Sequence, residues 1–243
     1  MPHPLLIAAA VLLAVHAAGA AVPLLASWSS RGLHFFVSVS AGVFLGAIFL
    51  HLLPELAARP EGGRLLPWIA ALAGLVLLFF LEHIVLHGDA HAGGRHGLVW
   101  SSSYIGLTVH SFATGLGFAS VASDPQLLLP FLGAMAVHKG AESFSLATVM
   151  RLAQLPRRRA AGLLALYCLS TPTGLLLGGF LALGALGEQL SPVLAGLACG
   201  TFLYVAVGDL LPEVFHEAEH RTLGAVGLLL GIAAAAAGVL LLH

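Results

Sequence analysis

Charge is what this chain lacks first. Asp, Glu, Lys and Arg make up 9% of its 243 residues, against about a quarter in soluble domains. Hydrophobic residues reach 59% and mean hydropathy is +0.99. So few polar groups cannot cover a water-soluble globule, which excludes that class and leaves a polytopic membrane protein. The formal net charge of −1 argues against nucleic acid as a partner. Asn is absent, so there is no acceptor for N-glycosylation. Cysteine is scarce. Cys168 and Cys199 both lie in apolar runs and read as small buried hydrophobes rather than as a disulfide or a thiolate metal site.

What the chain has is long apolar runs. About 20 residues cross the hydrocarbon core as a helix. Such runs fall at residues 4–26, 34–56, 66–87, 98–121, 126–150, 160–186, 192–213 and 222–242. Backbone groups in lipid must be satisfied within the segment, so the runs are read as helices. The expectation is an all-α membrane bundle of eight transmembrane helices, with one transporter-like domain over 1–243. The first run lacks a positively charged leader and reads as an uncleaved span. Arg31, Arg95, Arg151, Arg157, Arg158, Arg159 and Arg221 fall in loops on one side, and Arg59 and Arg64 on the other. The positive-inside rule then puts the Arg-rich loops in the cytosol and both termini on the extracytoplasmic side. Gly174 with Gly178, and Gly196 with Gly200, have the four-residue spacing of closely packed membrane helices.

Two pairs of motifs suggest an internal repeat. "HLLPEL" (51–56) ends the second run and "DLLPEV" (209–214) ends the seventh, at opposite faces. "HSFATG" (110–115) and "HKGAES" (138–143) each place a His four residues before an oxygen-bearing side chain. Spans of opposite direction sharing a pattern are what a 3+2+3 inverted repeat looks like, and such repeats are typical of secondary transporters. Pro-Glu at a helix end is also an ordinary interfacial stop.

The ionisable groups inside the spans concentrate the chemistry. Residues four apart share a helix face. His138 and Glu142 can therefore converge on one point, and His110 and Thr114 on another. If the fourth and fifth spans pack together, two imidazoles, a carboxylate and a hydroxyl or water form a site suited to Zn²⁺ or a similar divalent ion. Lys139, the one lysine in the chain, is offset by about 100° from His138 and need not face that point. The alternative is structural: each His a packing residue, Lys139 and Glu142 neutralising each other. Other groups mark the rims. His51 and Glu55 end the second span, Glu82 and His83 the third, and Asp209 and Glu213 the seventh. His87, His91 and His96 sit in the polar stretch 87–96. Solvated helix ends explain these as well as a metal path does. "HEAEH" (216–220) matches the His-Glu-x-x-His of zinc proteases. It follows Pro212, and the Asn-containing element of membrane-embedded proteases is missing.

These motifs together resemble the ZIP (Zrt/Irt-like) divalent metal transporters, over nearly the whole chain. "HSFATGLGF" is similar to the family motif of the fourth span and "HKGAESFSLA" to that of the fifth. "GLVLLFFLEHI" (74–84) and "GTFLYVAVGDLLPEVFHE" (200–217) are similar to the third and seventh. The resemblance implies eight spans, termini outside, a 3+2+3 repeat, metal movement toward the cytosol, and no enzyme activity. It implies a principal site at His110, Thr114, His138 and Glu142. It places a second site, seen in some members, at Ser111, Lys139 and Thr171. Thr114 lacks the carboxylate often found there, and Lys139 puts a cation where the second ion would lie, so one metal is expected. His51, Glu82, His83, Asp209, Glu213, His216 and Glu217 become candidates for the way in and out. Zn²⁺ is the first expected substrate, with Fe²⁺, Mn²⁺, Co²⁺ and Cd²⁺ as alternatives. The lipid bilayer, in the manner of a bacterial inner membrane, is the expected setting, and a homodimer is compatible. An intramembrane hydrolase and a non-transporting metal-sensing relative are the competing functions.

Overall fold

The computed structural model describes residues 3–58, 64–86, 94–121, 125–181, 186–215 and 221–242. These residues are helical throughout, apart from short connections, with no strand among them. Helix α1 is His3–Leu25. Helix α2 starts as Ser30–Ala47, widens into a π-helical stretch Ile48–Leu52 and ends as Leu53–Ala58. Helix α3 is Leu65–Phe80 and continues as the π-helical Leu81–Leu86. Helices α4 (Gly94–Val121) and α5 (Pro125–Leu152) have 28 residues each. Helix α6 has two halves, Arg157–Cys168 and Ser170–Leu181. Helix α7 comprises Leu186–Tyr204, the π-helical Val205–Leu210 and Leu211–Val214. Helix α8 is Arg221–Leu242.

Among the described residues, six stretches are long and apolar enough to cross a membrane: Pro4–Leu25, Ser30–Ala58, Leu65–Ile84, Arg157–Phe180, Pro192–Val214 and Arg221–Leu240. The chain is an integral membrane protein. The stretches outside that set are α4 and α5, in which His, Ser, Thr, Lys and Glu interrupt the apolar run. The polar load is turned inward. His110, Ser111, Lys139, Glu142 and Ser143 are buried, while Leu65, Phe80, Leu229 and Leu240 are exposed on the outside.

Several helices extend past the apolar runs. Helix α4 begins at Gly94 rather than 98, taking Arg95 and His96 out of the expected loop. Helix α7 begins at Leu186 rather than 192 and carries Pro192 inside it. The sixth run does not reach 186, since α6 ends at Leu181 and Leu186 belongs to α7. Apolarity marks the part of a helix immersed in lipid, and the hydrogen-bonded rod continues into the interface. Helix α2 gains its first turn from Ser29, whose hydroxyl accepts the Gly32 N–H at 3.1 Å.

The "LLPE" repeat has a structural counterpart. Pro54 and Pro212 offer no N–H to the carbonyl four residues back, and their rings crowd it. In both helices the turn before the proline widens: Leu53 N–H reaches Ile48 O and Leu211 N–H reaches Ala206 O. Each is a five-residue step, the π-helical spacing that absorbs such a mismatch. Helix α6 breaks at Leu169 for a related reason. Pro172 cannot donate within the first turn of the second half, and the Ser170 hydroxyl donates to Tyr167 O at 2.6 Å.

The principal packing pairs are α1 with α5, α4 with the second half of α6, α2 with α8, and α3 with α7. Helix α4 also packs on α7, as α5 does on α2. Exchanging α1–α3 for α6–α8 and α4 for α5 leaves this set of pairs unchanged. Glycines make the seams. A Cβ on Gly174 would strike the backbone of Phe112 on α4, and one on Gly200 the backbone of Ala71 on α3. The paired glycines are therefore sites of backbone contact, as small residues are in membrane interiors.

Candidate metal centre

Glu142 is the hub, on the inward face of α5. His138, one turn earlier, brings Nε2 to 2.8 Å from Glu142 Oε1. That nitrogen is off the angle needed for a hydrogen bond to the carboxylate. From α4, His110 brings its Nε2 to 3.1 Å from the same oxygen. His110 Nδ1 lies 2.9 Å from the carbonyl of Ala198 on α7. A carbonyl only accepts, so Nδ1 carries a proton, and Nε2 is the nitrogen that can present a lone pair to a metal. Donation of the far ring nitrogen to a carbonyl is the usual support of a metal-ligating His. Thr114 donates its proton to His110 O at 2.7 Å, which leaves its oxygen lone pairs 3.3 Å from His110 Nε2.

The ligand atoms of His110, His138 and Glu142 all lie within 4.8 Å of one another. Two imidazole nitrogens, a carboxylate oxygen and a hydroxyl form a borderline donor set that suits zinc and its neighbours. His110 and Glu142 are sealed from the surface, whereas the His138 side chain is 20% exposed. The approach to the cluster is therefore on the His138 side. Phe202 of α7 closes another side, stacked on His110 at 4.2 Å between ring centres and edge-on to His138 at 5.4 Å.

Of the two readings of Lys139, the structure has the one that pairs it with the carboxylate: Nζ lies 2.8 Å from both Glu142 oxygens. The flexible four-carbon stem bridges the three-residue step, and a lysine fully buried in this setting needs a counter-charge. Ser111 donates to Glu142 Oε2 at 2.9 Å and accepts from Lys139 at 3.3 Å. Thr171 does not join them. Its hydroxyl is 3.2 Å from His16 Nε2 on α1.

The family model described as ZIP Zinc transporter matches residues 87–238. The chain belongs to the ZIP family. Zinc transporter ZIP1 of Takifugu rubripes is 28% identical over 251 residues, covering 82% of each chain. Zinc transporter ZupT of Corynebacterium glutamicum is 27% identical, covering 83% of this chain and 84% of its own. Fe(2+) transport protein 3, chloroplastic, of Arabidopsis thaliana is 25% identical over 84% of this chain and 50% of its own. These ZIP relatives are named as transporters, which points to a non-enzyme and does not favour the hydrolase reading of 216–220.

Of the rim residues of this ZIP chain, His51 and Glu55 pair at 3.8 Å in a half-exposed position. Glu82 accepts the Tyr204 hydroxyl. His83 places Nδ1 2.9 Å from Phe79 O and stacks on the Phe79 ring. Asp209 is buried beside Glu82, and its Oδ2 accepts from Ser102 at 2.8 Å and Ser103 at 3.0 Å. Glu213 is buried one turn on. His216 and Glu217, with the rest of "HEAEH", lie outside the described residues, as do His87 and His91.

Sequence reasoning missed Tyr167, whose hydroxyl donates to Glu142 Oε2 at 2.9 Å, and His16, which bridges Ser143 at 2.9 Å and Thr171. A lone His in the first apolar run was the available signal for His16. Phe202 carried none, since one more Phe in an apolar span looks like any lipid-facing residue.

Proposed function

We propose that this chain carries a divalent metal ion, Zn²⁺ first, across a membrane toward the cytosol through one site made by His110, His138, Glu142 and Thr114. The observation that carries the reading is the meeting of two imidazole nitrogens and a carboxylate oxygen inside a membrane protein, where ionisable groups serve function by default. The incoming ion exchanges its water for these donors. Glu142 supplies the one anionic ligand, so two positive charges on the ion are half neutralised and release stays accessible. Fe²⁺, Mn²⁺, Co²⁺ and Cd²⁺ are alternative substrates.

The whole chain, 1–243, acts as one domain with eight spans and both termini extracytoplasmic. The exchange symmetry of the helix pairs and the matching π-turns before Pro54 and Pro212 support the 3+2+3 inverted repeat. The site moves with α1, α4, α5 and α6, which pack together, relative to α2, α3, α7 and α8. The His110–Ala198 hydrogen bond and the Phe202 stack cross between these groups and are exchanged as the carrier changes state. His51 lies on the way in, and Glu82, His83, Asp209, Glu213, His216 and Glu217 on the way out. Lys139 stands in for a second cation. The arrangement fits a bacterial inner membrane, with or without pairing of two copies.

Uptake of radiolabelled Zn²⁺ into liposomes holding the purified protein tests this. Wild type accumulates the ion, and His138→Ala and Glu142→Ala do not. Absence of flux for every first-row divalent ion in wild type rejects the proposal.

A further inference from the structure

The two oxygens of Glu142 are not equivalent. Oε1 faces the imidazoles, at 3.1 Å from His110 Nε2 and 2.8 Å from His138 Nε2. Oε2 is turned the other way and accepts from Ser111 and Tyr167, both at 2.9 Å. Two of its donors are hydroxyls on separate helices, α4 and α6, so Oε2 is held from outside α5. Tyr167 is itself fully buried, with the His16 ring edge-on at 5.3 Å behind it. His16 is held in turn by Ser143 and Thr171. The phenol has no exit to water and no room to swing away.

We infer that Tyr167, together with Ser111, is a specificity-determining residue that holds Glu142 to one-oxygen coordination and so selects four-coordinate zinc over divalent ions that take six oxygen-rich ligands. The inference rests on the metal-carrier reading above. The reasoning is a count of lone pairs. A carboxylate oxygen has two in-plane lone-pair directions. Oε2 accepts from Ser111, Tyr167 and Lys139 and has none to spare, whereas Oε1 accepts from Lys139 alone and keeps one. Only Oε1 then remains for an ion among the imidazoles. With His110, His138 and the Thr114 oxygen it completes four donors, which satisfies zinc. Mn²⁺ favours six oxygen-type ligands. It would benefit from the second carboxylate oxygen and is denied it. Lys139 reaches both oxygens, so it balances charge without choosing between them.

The test uses the full-length protein, with Zn²⁺ and Mn²⁺ as probes. Tyr167→Phe keeps the ring and removes the proton that caps Oε2. Ser111→Ala does the same from α4. X-ray absorption at the zinc edge reads the coordination number, and tracer uptake reads KM for each ion. In wild type, zinc has about four light-atom neighbours with one-oxygen carboxylate binding. With Tyr167→Phe and Ser111→Ala combined, Lys139 is the one donor left on Oε2. The carboxylate then shifts toward two-oxygen binding, and the KM ratio of Mn²⁺ to Zn²⁺ falls about tenfold, the scale of one hydrogen bond to a charged group. Tyr167→Phe alone moves part of the way. Ser111→Ala moves both readouts in the same direction and decides the matter alone should Tyr167→Phe not fold. Equal changes in both KM values, with coordination unaltered, overturn the inference and leave Tyr167 a positioning residue. Two-oxygen binding already present in wild type overturns it as well. A wild type that binds zinc through one Glu142 oxygen but shows no flux rejects the carrier reading instead.

Discussion

The molecule holds two buried acidic clusters, and they are built on different plans. At the centre, Glu142 is answered by a lysine and two hydroxyls, with the imidazoles of His110 and His138 beside it. Toward the end of α7, Asp209 draws on two serine hydroxyls and lies beside a second carboxylate, Glu82. The first cluster is nearly neutral by itself and has nitrogen donors. The second sets two carboxyl groups side by side and offers oxygen alone. Nitrogen with a single carboxylate gives a selective site for a borderline ion. Oxygen donors alone suit hard divalent ions as a class and discriminate little among them. In the proposed carrier, the contrast would separate a site that chooses from a site that passes the ion on.

Removing the central charge breaks this contrast most severely. Glu142→Gln deletes the one anionic donor and leaves Lys139 buried with no counter-charge. Zinc binding, measured by calorimetry on purified protein, weakens by at least about 100-fold, since even outer supports of a metal site are worth about 10–100-fold. Thermal unfolding in detergent reports a loss of about 3–5 kcal/mol from the orphaned ammonium. Glu142→Gln with Lys139→Met restores the stability and not the binding. If the double substitution is no more stable than the single one, the lysine was not paired as the structure has it.

Lys139→Met alone sharpens the same point. It leaves Glu142 charged and buried, so the metal-free protein loses about 3–5 kcal/mol. A bound divalent ion supplies the missing positive charge, so zinc raises the unfolding midpoint more in this variant than in wild type. A zinc-dependent rise equal to that of wild type would mean that the ammonium does not substitute for a cation. A titration that finds two ions per chain would show that its role is to fill the second site.

The acidic cluster gives a smaller effect. Asp209→Asn removes one of two carboxylates far from the imidazoles. Zinc affinity at the centre stays within about twofold, since sites without shared partners act nearly independently. Flux falls several-fold in tracer uptake. A large change in affinity would instead place Asp209 in the same site as Glu142.

Much of this architecture was legible from period and hydropathy. Apolar length marked the rods, and the four-residue spacing of His138 to Glu142 and His110 to Thr114 put each pair on one face. Gly174 and Gly200 marked seams because only a bare backbone permits that approach. What stayed hidden depends on the third dimension. The three-residue step let Lys139 neutralise Glu142, but that its stem reaches both carboxylate oxygens depends on the fold. Tyr167 lies on a helix that the sequence presents as one unbroken run, and nothing in a linear sequence says which residue of α6 meets α5. The carbonyl of Ala198 could not be anticipated at all, because any backbone oxygen of α7 looks the same on paper.

The smallest expected effect belongs to Thr114, the position that most separates this centre from a richer one. Its proton goes to His110 O at 2.7 Å, so the hydroxyl offers a metal only neutral lone pairs. Thr114→Val keeps the shape and removes the oxygen. A water can take the vacant ligand position at little cost, since bridging waters are nearly as good as direct partners. Zinc affinity therefore falls by only about two- to fivefold, corresponding to about 0.4–1 kcal/mol, while His110 keeps its tautomer through Ala198. Thr114→Glu works in the opposite direction. It adds a second anionic donor and tightens binding, and flux drops because the ion leaves more slowly. Calorimetry and tracer uptake on the two variants read affinity and turnover separately. Should Thr114→Val weaken zinc binding as much as Glu142→Gln does, the hydroxyl is a principal ligand and the centre is not organised around a single carboxylate.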